Sequence, residues 1–199
     1  MKVTTLKSLL VIAAFALAAG AASAQTDVYK LNYFANNASP APDATVRIDN
    51  PGYTYGNLCA MVYVFDQDQQ MTECCGCVET HNGLRTISVR KNLTSNPLTG
   101  VISKAGMVKI VSAAVNNSPC DPTSNVKPTM NLRAWATHIQ NPVKAVVDTT
   151  VSTGSYPITE TEFSDSTLGA TELANLQAQC AFVGILGSGR GLCTCGTGD

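Results

Sequence analysis

Leu58-Cys59-Ala60-Met61-Val62-Tyr63-Val64-Phe65, followed by Asp66-Gln67-Asp68 and then by Gln69 to Cys77, is the stretch on which the fold turns. The first eight residues are the most apolar run beyond the N-terminal segment. They do not alternate between apolar and polar, so neither face of the run is set against water and the strand belongs mid-sheet. Asp66-Gln67-Asp68 has turn chemistry, which makes Gln69 to Cys77 the returning strand of a hairpin.

The same pattern repeats outward in both directions. Strands are expected at Asp27 to Phe34, Ala44 to Ile48, Leu84 to Lys91, Met107 to Val115, Asn131 to Gln140, Ala145 to Val151 and Tyr156 to Phe163. Gly, Pro, Asn and Asp punctuate them: Asn50-Pro51-Gly52, the tight His81-Asn82-Gly83 turn and Asn116-Asn117-Ser118-Pro119. Asn36 to Asp43, with Pro40 and Pro42, reads as a linker or edge crossing. Short strands at regular spacing predict a mainly β fold, an antiparallel β-sandwich that is Ig-like in general architecture. A barrel would need strand number and tilt to agree, and nothing in the sequence shows that they do.

The period changes near the C-terminus. Between about Thr167 and Leu186 the apolar residues Leu173, Leu176, Cys180 and Val183 fall on one stripe of a helix. Glu172 suits the positive end of the helix dipole, and Gly187 and Gly189 suit its stop. So short a helix must dock on a sheet, with Cys180 in the docking stripe.

Residues 1–24 have the form of a secretory signal: Lys2 and Lys7, an apolar core from Leu9 to Ala19, and the small-residue site Ala22-Ser23-Ala24. The core is too short to span a bilayer, and no later stretch qualifies. The expectation is a secreted product, periplasmic or extracellular, cut near Ala24. The chain then divides into 25–43, an N-terminal strand and linker, and 44–199, a sandwich domain with its helix and a cysteine-bearing tail. Removal of the signal leaves 175 residues with 11 basic and 14 acidic side chains. That length supports one domain with a sizeable core. The basic residues are scattered, which excludes an electrostatic footprint for nucleic acid.

Eight cysteines follow the signal: Cys59, Cys74, Cys75, Cys77, Cys120, Cys180, Cys193 and Cys195. An even count in an exported chain reads as disulfides. A two-residue turn at Gln67-Asp68 gives paired residue numbers that sum to 135; a turn one residue shorter or longer puts Cys59 opposite Cys75 or Cys77, and it is expected to pair with one of them. Cys74 points to the other face and reaches elsewhere. The glycine-rich loop after the helix suggests Cys180 with Cys193 or Cys195, leaving Cys120 for a remaining thiol. The alternative is metal or redox chemistry at Cys74, Cys75, Cys77, Cys193 and Cys195, because dense thiolates bind zinc or copper(I). Against it stand the lack of a Cys-x-x-Cys pair with a partner at zinc-finger spacing, the absence of histidine inside either cluster (His81 follows Cys77 by four residues) and the oxidising route.

Other residues carry weaker chemistry. Asp66, Asp68 and Glu73 lack the glycine and terminal glutamate of a calcium loop. Gly187 to Gly191 follows a helix, whereas a phosphate cradle precedes one. His138 has no nucleophile elbow to serve. Glu160 and Glu162 share a strand face and could form an acid/base pair on a sugar. Tyr53, Tyr55, Tyr63 and Trp135 could form a carbohydrate platform, although Tyr63 and Trp135 are expected in the core.

The runs Asn57 to Asp66, Glu73-Cys74-Cys75-Gly76-Cys77, Asn82 to Thr86 and Cys193-Thr194-Cys195-Gly196 resemble those of exported proteins encoded in acidobacteria-type soil bacteria. The resemblance covers most of the chain beyond the signal. It implies a secreted bacterial setting and lends no functional residue. The resulting expectation is a non-enzymatic structural or binding module of the cell surface or matrix, rigidified by disulfides and needing no cofactor. Its partner would be a surface protein or glycan, or a second copy joined through sheet edges, with Asp27 to Phe34 the segment to watch. The alternatives are the thiol redox or metal-handling protein and a glycan-active enzyme.

Overall fold

The computed structural model describes residues 25–53, 56–115, 119–124, 127–147 and 150–196. The expected signal segment, Tyr55 and most of the turn at Asn116 to Pro119 lie outside the described residues. Two antiparallel sheets and one C-terminal helix make up most of the structure. The larger sheet contains β1 (Gln25–Phe34), β3 (Leu58–Asp66), β4 (Met71–Glu79), β6 (Gly106–Ala114) and β11 (Ser164–Leu168), in the order β11-β1-β6-β3-β4. The smaller contains β2 (Thr45–Asp49), β5 (Leu84–Ser88), β7 (Arg133–Ile139) and β10 (Ile158–Glu162), in the order β10-β7-β2-β5. Helix α1 runs from Ala170 to Leu186.

The lack of alternation in β3 has a direct cause: the larger sheet is covered on both faces. Leu58, Ala60, Val62 and Val64 point toward the smaller sheet and share a core with Val46, Ile48, Ile87, Ala134 and Ala136. Cys59, Met61, Tyr63 and Phe65 point the other way and share a second core with Leu176, Cys180 and Val183 of α1. The helix stripe read from spacing is therefore the docking face, and α1 adds a third layer to the sandwich. Its first turn is tied down by Glu172, whose carboxylate accepts from the Tyr29 hydroxyl at 2.8 Å and the Lys109 ammonium at 3.1 Å.

Four elements differ from the sequence expectation. Ser164–Leu168 is a strand pairing with β1, and the helix starts only at Ala170. The single strand expected over Ala145 to Val151 is a hairpin, β8 (Lys144–Val147) with β9 (Thr150–Thr153), in which Val146 opposes Val151. A run of β-formers on both sides of Asp148 reads continuously, and only the pairing divides it. Beyond Ser88 the chain leaves the sheet in a helical turn, Val89–Leu93, whose first N–H groups are capped by the Ser88 hydroxyl through Lys91 N. Lastly, β1 is an interior strand, paired with β6 from Tyr29 to Phe34 and with β11 at Gln25 and from Tyr29 to Leu31.

Candidate functional site

All eight cysteines are paired, as Cys59–Cys120, Cys74–Cys180, Cys75–Cys193 and Cys77–Cys195. Both expected pairings of Cys59 and both of Cys180 are thus corrected. The hairpin loop spans three residues, Gln67 to Gln69, with Gln69 at φ 63° and the Asp66 N–H donating to Gln70 O. Thr72 is then a bulge, because Val64 opposes Glu73 while Phe65 opposes Met71. The two effects place Cys59 opposite Val78, on the face away from Cys75 and Cys77. There it meets Cys120, which descends over Gly76. Cys74, as expected, faces away from its neighbours, and it reaches Cys180 on α1.

The glycine-rich loop after α1 delivers the tail to the edge of β4. Gly187 closes the helix by donating to Val183 O at 2.9 Å, and Gly191, at φ 80°, turns the chain. The tail then runs parallel to β4: Cys74 N donates to Gly191 O at 3.0 Å and Cys193 N to Cys74 O at 3.2 Å. Cys193 and Cys195, two residues apart, repeat the spacing of Cys75 and Cys77, so both pairs close on one face. Arg85 locks the end, donating to Glu79 at 2.8 Å, Val78 O at 2.9 Å and Cys195 O at 3.2 Å. The sulfurs of Cys75, Cys77 and Cys195 lie within 4.8 Å of one another. As disulfides they offer no thiolate, and a metal could be held there only after reduction.

The smaller sheet's outer face is the other concentration of chemistry. Thr45, Arg47 and Asp49 alternate with the buried Val46 and Ile48, a half-buried strand pattern visible in the sequence. Trp135 is half-buried and belongs to neither core, so the expectation that it packs inside is corrected. It sits on the outer face between Arg47 of β2 and Glu162 of β10, its register partners. Glu160 opposes Thr137 and forms an ion pair with Arg47 at 2.7 Å. Thr86 and Ser88 of β5 extend the face, opposite Arg47 and Thr45. Beside them a shallow depression of about 690 Å³ is lined by Thr45, Thr86, Ser88, Lys91, Asn92, Thr194, Cys195 and Gly196. Besides Trp135, the face carries hydroxyls, the Arg47–Glu160 pair, the charged Asp49, Arg133 and Glu162, and the exposed apolar side chains Leu84 and Ile158.

The remaining candidates are dispersed. Tyr63 is buried beneath α1 with its hydroxyl on Pro122 O at 2.8 Å, and Tyr53 is exposed away from both cores. Asp66 caps its own hairpin by accepting from Asp68 N and Gln70 N, whereas Glu73 is buried and accepts from Asn96 N at 2.9 Å. Burial pushes the Glu73 carboxyl up to about 7. His138 is buried, stacked on Tyr33 with ring centroids 4.0 Å apart, and bonded to the Thr161 hydroxyl at 2.7 Å. Burial lowers its pKa, which favours the neutral ring. Arg47, Arg85 and the Thr45, Thr86 and Ser88 hydroxyls were not singled out from the sequence. Alternation marks Thr45 and Arg47, but no local signal marks Arg85, whose role depends on a tail more than a hundred residues away.

Compared with protein-family models, with curated proteins and with solved structures, the chain has no match in any of the three.

Proposed function

We propose that this protein is a secreted, non-enzymatic binding module of a bacterial cell surface or extracellular matrix, and that the outer face of its smaller sheet takes a glycan. Four disulfides are consistent with an extracellular, stabilised module. The observation that carries the glycan reading is Trp135, on the outer face of the smaller sheet between Arg47 and Glu162, with Thr137 next along its own strand and Thr86 beyond Arg47. An indole stacks on the C–H face of a sugar ring, while fixed hydroxyl, guanidinium and carboxylate groups bond its hydroxyls. The Arg47–Glu160 pair neutralises two charges, which suits an uncharged, polyhydroxylated ligand. Strands hold these groups more rigidly than loops would. A flat face buries little area, so single-site affinity should be weak, on the order of 0.1–1 mM.

The chain has one tryptophan, so Trp135 is its own reporter. Electrophoresis through gels containing soluble polysaccharides should retard the wild type, and Trp135→Ala should restore its mobility. Intrinsic fluorescence should shift saturably on titration with the same glycan. A broad panel that neither retards the protein nor shifts its fluorescence overturns the reading.

The converging sulfurs of Cys75, Cys77 and Cys195 favour one second reading, a thiol redox or metal-handling protein. Thiol titration of the denatured, unreduced protein separates the two. No free thiol supports the disulfide module, and several free thiols with co-purifying zinc or copper support the alternative.

A further inference from the structure

Two disulfides staple the C-terminal tail to β4, Cys75–Cys193 and Cys77–Cys195, and they differ in access. Cys75, Cys77 and Cys193 are 9%, 0% and 7% exposed, whereas Cys195 is half-buried. Cys195 lines the open depression of about 690 Å³ together with Thr86, Ser88 and Lys91. The other staple borders a groove beside α1, but both of its cysteines are buried. A disulfide is opened by a thiolate that reaches one of its sulfurs, so access decides which staple yields first. A cation such as Lys91 in the same depression favours an incoming thiolate. A further sulfur stands behind the accessible bond. Cys75 Sγ lies within 4.8 Å of the sulfurs of both Cys77 and Cys195.

We infer that Cys195 is a thiol-exchange site: it takes a small, carboxylate-bearing thiol as a mixed disulfide and passes the opening on to the second staple. In the first step the external thiolate attacks Cys195 Sγ, a bond to Cys195 forms, and Cys77 leaves as the thiolate. In the second step Cys77 attacks Cys75 Sγ, a Cys75–Cys77 bond forms, and Cys193 leaves as a thiolate that takes up a proton. One thiol enters, one is released, and the number of disulfides stays the same, so neither oxidant nor reductant is consumed. Cys75 and Cys77 share a strand face, with Cα atoms about 6.6 Å apart at ordinary strand rise, near the upper limit that a disulfide spans. The new bond is therefore readily reversed, and Cys193 returns to Cys75 once the external thiol is removed. While the staples are open, hydrogen bonds alone hold the tail on the body: Cys74 N to Gly191 O, Cys193 N to Cys74 O and Thr194 N to Asn92 O. Cys120 is also half-buried, but among the described residues no third sulfur converges on its disulfide, so exchange there would stop at the mixed disulfide.

The test is to treat the purified, oxidised chain with reduced glutathione in native buffer, trap free thiols with iodoacetamide, and map the peptides without reduction. The expected product carries glutathione on Cys195 and an alkyl group on Cys193, with Cys75 and Cys77 joined and unalkylated. The paired variant Cys77→Ser with Cys195→Ser removes the point of entry, so its Cys75–Cys193 bond should open more slowly by on the order of tenfold. Near-UV circular dichroism checks that both proteins stay folded throughout. An alkylated Cys77 beside an intact Cys75–Cys193 bond overturns the inference. Equal rates of opening of Cys75–Cys193 in wild type and variant also overturn it, because the two staples would then open independently. So does a folded wild type that takes up no glutathione at Cys195.

Discussion

Gly76 runs beneath the backbone of Cys120, so close that a Cβ on Gly76 would overlap the Cys120 carbonyl. The sulfur of Cys120 is bonded to Cys59 on the neighbouring strand, so this approach is fixed covalently. Glycine between Cys75 and Cys77 is therefore a packing requirement. Gly76→Ala should cost about 1–3 kcal/mol, as overpacking of a core does. Thermal unfolding should show a Tm lowered by several degrees. A non-reducing peptide map should show less of the Cys59–Cys120 link. A variant as stable as the wild type would mean that the 119–124 segment can lift away at no cost.

The tail is held twice by sulfur and twice by backbone hydrogen bonds at Cys74. Removing one staple with the pair Cys77→Ser and Cys195→Ser should cost about 2–4 kcal/mol. The tail should nevertheless stay protected from protease, because Cys75–Cys193 keeps it on β4. Removing Cys75 and Cys193 as well should release it, and limited proteolysis should then cut within residues 188–196.

Arg85 joins Glu79, Val78 and Cys195, tying β4, β5 and the tail together. Glu79 is buried, so Arg85→Ala leaves a carboxylate without its partner. Urea unfolding should register a loss of about 3–5 kcal/mol. Arg85→Lys should recover only part of it, since an ammonium cannot reproduce the planar three-way fork. By contrast, the Arg47–Glu160 pair is exposed, and Arg47→Ala should change stability by less than about 1 kcal/mol.

Glu73 is buried, and its carboxyl is pushed up to about 7 from an ordinary 4.5. Between those values the folded state keeps a proton that the unfolded chain has lost. Rising pH therefore favours unfolding across that window, and the contribution levels off above it. Stability measured by chemical denaturation should decline from pH 4.5 toward pH 7 by an amount that Glu73→Gln removes. Gln keeps a carbonyl for Asn96 N, so the variant should be the more stable protein at pH 8. An identical pH profile in wild type and variant would assign the dependence to another group.

Much of the architecture could be read along the chain because it rests on local rules. The unbroken apolar run at Leu58 to Phe65, the alternation at Thr45 to Asp49 and the stripe of Leu173, Leu176, Cys180 and Val183 each name an element from neighbouring residues. The disulfide partners could not be read in this way. The three-residue loop by itself would have set Cys59 opposite Cys77; the bulge at Thr72 then reversed the face on which Cys59 was expected to find its partner. Register is a property of two strands, and a single-residue slip exchanges faces. Trp135 was misplaced for a related reason. Strand spacing assigns it to one face, but only the packing of the sheets decides which face is inside.

Taken alone, the order of residues determined the class of the protein: strand-rich, ending in one docked helix, with an even number of thiols available for cross-linking. It could do so because backbone preference and side-chain period act over a few positions. Tertiary structure decided which sulfur met which and which aromatic faced water. Those outcomes depend on segments separated by 61 to 118 residues, and their meeting is set by whole-sheet geometry that no local pattern encodes.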